Sequence, residues 1–183
     1  MFIRTSAAIS PQPTFGNLTP NAPVEYVGDK LSCIEPNYNT LLDPKLIRRM
    51  SRIIKMGSAS ALNALQEANL ENPDAIIVGT AYGCMEDTEI FLRKMIQNQE
   101  ELLTPTAFIQ STHNTVGAQI ALICKCHQYN NTFVQNGFSF ETALLDGILM
   151  LRDGEAKQLL VGGVDEIIPA SHAILHRFGL YKS

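Results

Sequence analysis

Few side chains in this sequence could do nucleophilic or metal chemistry. They are Cys33, Cys84, Cys124 and Cys126, the histidines at 113, 127, 172 and 176, and Ser139, which stands where a helix should begin. A thiol attacks only as the thiolate, so its pKa decides its use. Cys84 follows Gly83, and the acids Glu86 and Asp87 beside it would raise that pKa, so it reads as structural. Ser139 could replace a thiol as nucleophile. It has no histidine beside it in sequence to serve as base, and a serine at a helix start is ordinarily a cap. His113, in Ser-Thr-His-Asn-Thr, could act as an acid or base, though a local structural role suits it better. In Cys124-Lys125-Cys126-His127, on a helix, residues i and i+2 point to different faces. The two sulfurs then do not converge on a metal. His172 and His176 are four apart and share a helix face, and Asp165 or Glu166 could complete a zinc set. Gly79 to Gly83 could cradle an anion at a helix start, but Glu86, Asp87 and Glu89 oppose a phosphate there. That turn also lacks a P-loop lysine and the GxGxxG spacing, so it reads as close strand-to-helix packing.

The stretch that must position these groups is Asn131 to Glu166. Thr132, Phe133 and Val134 favour an extended backbone, and Asn136-Gly137 can turn it. From Phe138 or Ser139 the period becomes helical, with Phe140, Leu144, Gly147, Ile148 and Leu151 on one stripe. A helix this apolar should be covered on most sides. Gly154 ends it, and Gln158 to Val161 resume as a buried strand. Strand, helix and parallel strand form a crossover unit, which predicts a layered α/β protein. Upstream, Phe2 to Ile9 reads as a first strand. Residues 11 to 43 are proline-rich and aperiodic, an irregular excursion of the functional or partner-facing kind. Asp43-Pro44 should start a helix that runs to Asn72-Pro73. Ala75 to Val78 is a buried strand, helices follow over about 87 to 99 and 114 to 128, and Thr104-Pro105 ends the segment between them.

Composition narrows the function classes. The chain has 183 residues, enough for one domain with a proper core. Its net charge of −4 comes without blocks of either sign, so there is no basic footprint for nucleic acid or an anionic membrane. No apolar run approaches the roughly 20 residues of a membrane span. The N-terminus is too weakly basic for a signal peptide, which points to the cytoplasm. The cysteine spacing suggests reduced thiols rather than a disulfide framework.

In order, the segments Ile3 to Pro11, Arg49 to Leu65, Ile76 to Gly83, Leu103 to Ala121 and above all Leu151 to Glu166 (LRDGEAKQLLVGGVDE) resemble the N-terminal half of a β-ketoacyl-(acyl carrier protein) synthase. The resemblance covers nearly the whole chain except the excursion at 11 to 43. It implies an α/β, layered thiolase-like fold with a mixed sheet and helices on both faces, formed by residues 1 to 183 as a single domain. It implies four strands, with Leu159 to Val161 at one open edge, which something should cover. The other edge, Thr132, Phe133, Val134 and Gln135, matches the strand through which family members join two subunits. His172 and His176 then fall on a loop and short helix near the dimer surface, as solvated or interface histidines.

The family's nucleophile is a cysteine in the turn before the central helix, where the helix dipole and free N–H groups lower a thiol pKa and help hold an oxyanion. Ungapped spacing places Gly137 at that position. Glycine has no side chain to acylate. Chain-length-factor subunits also lack this cysteine, commonly with glutamine in its place. The family's other catalytic residues lie in a C-terminal half outside this sequence. The resemblance therefore implies a non-catalytic subunit that pairs with an active ketosynthase as a heterodimer, or with itself as a homodimer. Thr112, His113, Val116, Phe133, Phe138 and Phe140 would wall its acyl tunnel. No cofactor or metal is implied. The rival readings are an independent acyl-thioester transferase or hydrolase using Ser139 or Cys84, and a homodimeric acyl- or carrier-binding module. The acidic balance disfavours strong docking of an acidic acyl carrier protein on this chain alone, leaving carrier contact indirect.

Overall fold

β1 (Ala75–Gly79) is buried at every residue, as a short apolar strand covered on both faces must be. In the computed structural model, which describes residues 1–19, 22–28 and 30–181, it is the middle strand of a three-stranded parallel sheet. β2 (Tyr129–Phe133) pairs on one side, Ala75 opposite Tyr129, and β3 (Leu159–Gly163) on the other, Ala75 opposite Leu159. Alternate side chains of β1 feed two cores, because successive Cβ atoms point to opposite faces. Ile76 and Val78 join Ile53, Ile54, Val116 and Ile120 on one face, whereas Ala75 and Ile77 join Ala143, Met150 and Ala156 on the other.

Helices cover both faces. Asp43 caps α1 (Pro44–Ile47), its carboxylate accepting from the Lys45 N–H at 2.7 Å. The single helix expected from Asp43 onward is broken at 48–51 and resumes as α2 (Arg52–Glu67), with Ser51 at its N-cap. α2 and α5 (Thr115–Cys124) pack together over one face of the sheet, and α6 (Ser139–Asp153) lies across the other. α3 (Met85–Gln97) packs on α4 (Pro105–Gln110). Thr104-Pro105 thus starts a helix instead of only ending a segment, proline taking its favoured place in a first turn. Gly154, at φ +77°, stops α6, and α7 (Pro169–Arg177) closes the described chain. No helix among the described residues is long and apolar enough to cross a membrane.

Phe2 to Ile9 is not a strand. Both edges of β1 are taken by β2 and β3, and the segment is tied to side positions instead. The Thr5 hydroxyl donates to the Ala64 carbonyl at 2.9 Å, and Arg4 donates to the Gln158 side chain at 3.1 Å. The sheet is accordingly three-stranded and parallel throughout the described residues, where four strands in a mixed sheet were expected. Its two open edges are nevertheless the expected ones, β2 and β3. The excursion at 11–43 contains no strand or α-helix among its described residues. Its end is fastened to α2 by Glu35, which pairs with Arg52 at 2.6 Å and accepts from the Tyr38 hydroxyl at 2.6 Å.

Candidate functional site at the Gly137 turn

The last residue of β1 fixes the site. A Cβ on Gly79 would lie 2.5 Å from the Ser139 carbonyl oxygen and 2.6 Å from the Phe140 nitrogen, so the first turn of α6 rests directly on this backbone. Between β2 and α6 the chain makes one 3₁₀ turn, Asn136–Phe138, with Asn136 in the left-handed region at φ +53°. Ser139 holds that turn closed. Its Oγ accepts from the Gln135 N–H and donates to the Asn136 carbonyl, both at 2.8 Å. Gly137 sits at the crest, exposed, with nothing within 4 Å of where a Cβ would project. The N-cap of α6 is Phe138, and no side chain caps the helix there. The turn therefore presents an open position at the positive end of an uncapped 15-residue helix, a place suited to a nucleophile or an oxyanion but holding neither side chain.

The candidate nucleophiles are engaged or buried elsewhere. Ser139 is 3% exposed and its hydroxyl is occupied on both sides, which makes it the brace of the turn. Cys84, at the N-cap of α3, is 1% exposed. Burial first, and then the Asp87 and Glu166 carboxylates, push its thiol up to about 12. Such a thiol is protonated at neutral pH. His113 is exposed and lies against Gly83, where a Cβ would stand 2.9 Å from the His113 Cα and Cδ2. Gly79 and Gly83 therefore serve close backbone approach.

The residues expected to wall a tunnel fall in two layers. Val116 belongs to the α2/α5 core, against Gly57, and Thr112 is held at the α4–α5 corner by the Ile109 carbonyl at 2.9 Å. Phe133, Phe138 and Phe140 lie on the α6 side. Phe133 packs against the core there, Phe140 lies over Gly163, and Phe138 is 73% exposed. Of the edge residues, Thr132 and Phe133 belong to β2, while Val134 and Gln135 lie just beyond its end.

Sequence reasoning missed the role of the acids after β3. Asp165 accepts from the Ala81 N–H at 2.6 Å and the Thr80 hydroxyl at 3.1 Å, tying the turn after β1 to the end of β3. Glu166 accepts from the Glu86 N–H at 2.9 Å, at the start of α3. Burial raises the pKa of both carboxyls. These bonds direct them away from a zinc set, and His172 stacks on Tyr181 with ring centroids 4.8 Å apart. The Gly-Gly-x-acid pattern was the available signal, a carboxylate placed to cap a turn and a helix start.

The profile of a family described as beta-ketoacyl synthase, N-terminal domain, matches residues 33–177. The fold is similar to that of a ketosynthase in complex with its chain length factor from Xenorhabdus doucetiae, over 93% of this chain and 68% of that chain, with 19% identity and a TM-score of 0.68. It is similar to the ishigamide ketosynthase/chain length factor over 78% of this chain and 41% of that chain, with 19% identity and a TM-score of 0.65. A third similar structure is of a type II PKS acyl-carrier protein in complex with its ketosynthase bound to the hexaketide. That match covers 80% of this chain and 44% of that one, with 16% identity and a TM-score of 0.70. The chain thus spans less than half the length of the last two relatives. At these identities the likeness establishes the layered thiolase-like fold. No curated protein matches the chain.

Proposed function

The chain belongs to the β-ketoacyl synthase N-terminal domain family, and from that premise we propose that residues 1 to 183, as one domain, act as a non-catalytic ketosynthase-like subunit. It pairs with an active β-ketoacyl-(acyl carrier protein) synthase in fatty acid, polyketide or polyene assembly and shapes the end of the acyl tunnel. The Gly137 turn carries this reading. The position that resembles the family's cysteine has room for a side chain and has none, while Ser139 and Cys84 are held out of reactive states. Shaping a tunnel requires surface and fit but no nucleophile. Phe138 and Phe140, 73% and 46% exposed, stand at the turn and are the residues best placed to limit a chain. The open edge at Thr132 to Gln135 offers backbone groups for a partner strand. Relatives that are ketosynthase and chain length factor complexes support a ketosynthase as the partner, with the acyl carrier protein reaching this subunit only through it.

Co-expression with a full-length ketosynthase tests the proposal. The expected results are co-purification and a longer product when Phe138→Ala opens the tunnel end. Failure of every such pairing, with product length indifferent to Phe138, refutes it. Intact-mass analysis after exposure to an activated acyl thioester should find no adduct on the isolated protein. An adduct on Ser139 or Cys84 would favour the independent acyltransferase or hydrolase instead.

A further inference from the structure

β3 ends in Gly162 and Gly163, and neither has a positive φ, so backbone geometry does not call for glycine at either position. What differs is the space beside them. A Cβ on Gly162 would meet nothing within 4 Å, whereas one on Gly163 would stand 3.2 Å from Phe140 Cδ2 and 3.5 Å from its Cβ and Cγ. The two positions face opposite sides of the sheet, as successive strand residues must. Gly163 pairs in register with Gly79, whose own Cβ would strike the Ser139 and Phe140 backbone. The first turn of α6 therefore rests on two adjacent glycines, Gly79 beneath its main chain and Gly163 beneath the Phe140 side chain.

We propose that Gly163 is a positioning residue for acyl-length specificity: by leaving room beneath Phe140 it lets that ring lie down on the end of β3, and so sets how far an acyl chain extends past the Gly137 turn. This role rests on the tunnel-shaping reading and adds to it a residue that the acyl chain itself need not touch. Bulk added at Gly163 cannot push the strand aside. The next residue, Val164, donates its N–H to the Gly79 carbonyl at 3.0 Å, and Asp165 is bonded to the Ala81 N–H at 2.6 Å. The α6 main chain is seated on Gly79 and cannot shift without leaving it. The Phe140 ring is the part that gives, by turning about its side-chain torsions and away from the sheet. A single methyl at 3.2 Å asks it to move a few tenths of an ångström, whereas the two further carbons of a valine take the place the ring edge now holds and force another rotamer.

The test is the product-length distribution of the full chain co-expressed with a full-length ketosynthase, with thermal unfolding of each isolated variant read alongside. Phe140→Ala should move the main product to the next longer homologue and Gly163→Val to the next shorter one. Gly163→Ala should give a smaller shift in the same direction as the valine, and it keeps the test decisive if Gly163→Val fails to fold. Gly162→Ala, on the opposite face of the sheet, should leave product length unchanged. On the Phe140→Ala background Gly163→Val should lose its effect, because no ring is left to displace; two residues that act through one contact are not additive. A glycine with only a structural role would instead lower Tm and leave product length alone. If Phe140→Ala lengthens the product while both Gly163 variants leave it unchanged, or if the valine shortens it equally without the ring, the role of Gly163 is overturned and the tunnel reading stands. If no ketosynthase pairs with the chain, or if Phe140→Ala has no effect on length, the tunnel reading fails and the role of Gly163 falls with it.

Discussion

Replacing Gly79 by alanine tests the contact that positions the whole site. The added Cβ would lie 2.5 Å from the Ser139 oxygen and 2.6 Å from both the Ser139 carbonyl carbon and the Phe140 nitrogen. All three are backbone atoms, so no side chain can swing aside. Ordinary contact between such atoms needs about 3.5 Å, and α6 must therefore rise from β1 by roughly 1 Å. Overpacking of this kind costs about 3 kcal/mol, near the upper end of the usual range because the helix moves as a body. For a chain of this length that is a fall in Tm of about 6–12 °C. Gly162, beside Val78 in the neighbouring strand, is the matched control, with nothing within 4 Å of its Cβ position. Gly162→Ala should be neutral or stabilise by up to about 1 kcal/mol, through the reduced freedom of the unfolded chain. Thermal unfolding followed by circular dichroism reads both. If Gly79→Ala melts within a degree or two of the wild type, the first turn of α6 does not rest on β1, and the geometry assigned to the Gly137 turn is wrong.

Three further outcomes follow from the same site. Gly137→Cys should change stability by less than about 0.5 kcal/mol, because its side chain enters open space, and should alkylate at neutral pH while Cys84 stays inert; intact-mass analysis after a pulse of iodoacetamide would show the added label. Ser139→Ala should cost about 1 kcal/mol, or roughly 2–4 °C in Tm, by freeing the Gln135 N–H and the Asn136 carbonyl that the hydroxyl joins. The pKa values of Asp87, Asp165 and Glu166 are raised chiefly by burial, so the native state holds these protons more tightly than the unfolded chain does. Their contribution to stability thus falls as pH climbs from the ordinary carboxylate range through the raised values. Asp165→Asn, whose side-chain oxygen can still accept from Ala81 and Thr80, should flatten part of that slope in Tm measured against pH, and an unchanged slope would remove Asp165 from the account.

The crossover from β2 through α6 to β3 was legible because each step has a local cause. Thr132 and Phe133 favour extension, Asn136 accepts a positive φ, and Gly154 stops the helix in the left-handed region. The Asp43 cap was legible for the same reason. Phe2 to Ile9 misled because an apolar, extended run becomes a strand only where its backbone pairs with another strand, and this run is fastened by the Thr5 and Arg4 side chains instead. α2 began later than expected because the chain breaks at 48–51, while the periodic residues on either side of the break gave no sign of it.

By itself the sequence determined the crossover from β2 through α6 to β3, the Asp43 cap and the lack of a side chain at Gly137, since caps, turns, hydrophobic period and residue type are properties of neighbouring residues. Only the tertiary structure decided that Ser139 is a brace, that Cys84 is buried among acids and that Asp165 ties two strand ends together. Each of those depends on what lies across from a residue in space, on solvent excluded and partners met from distant parts of the chain, and local sequence pattern does not encode that distance.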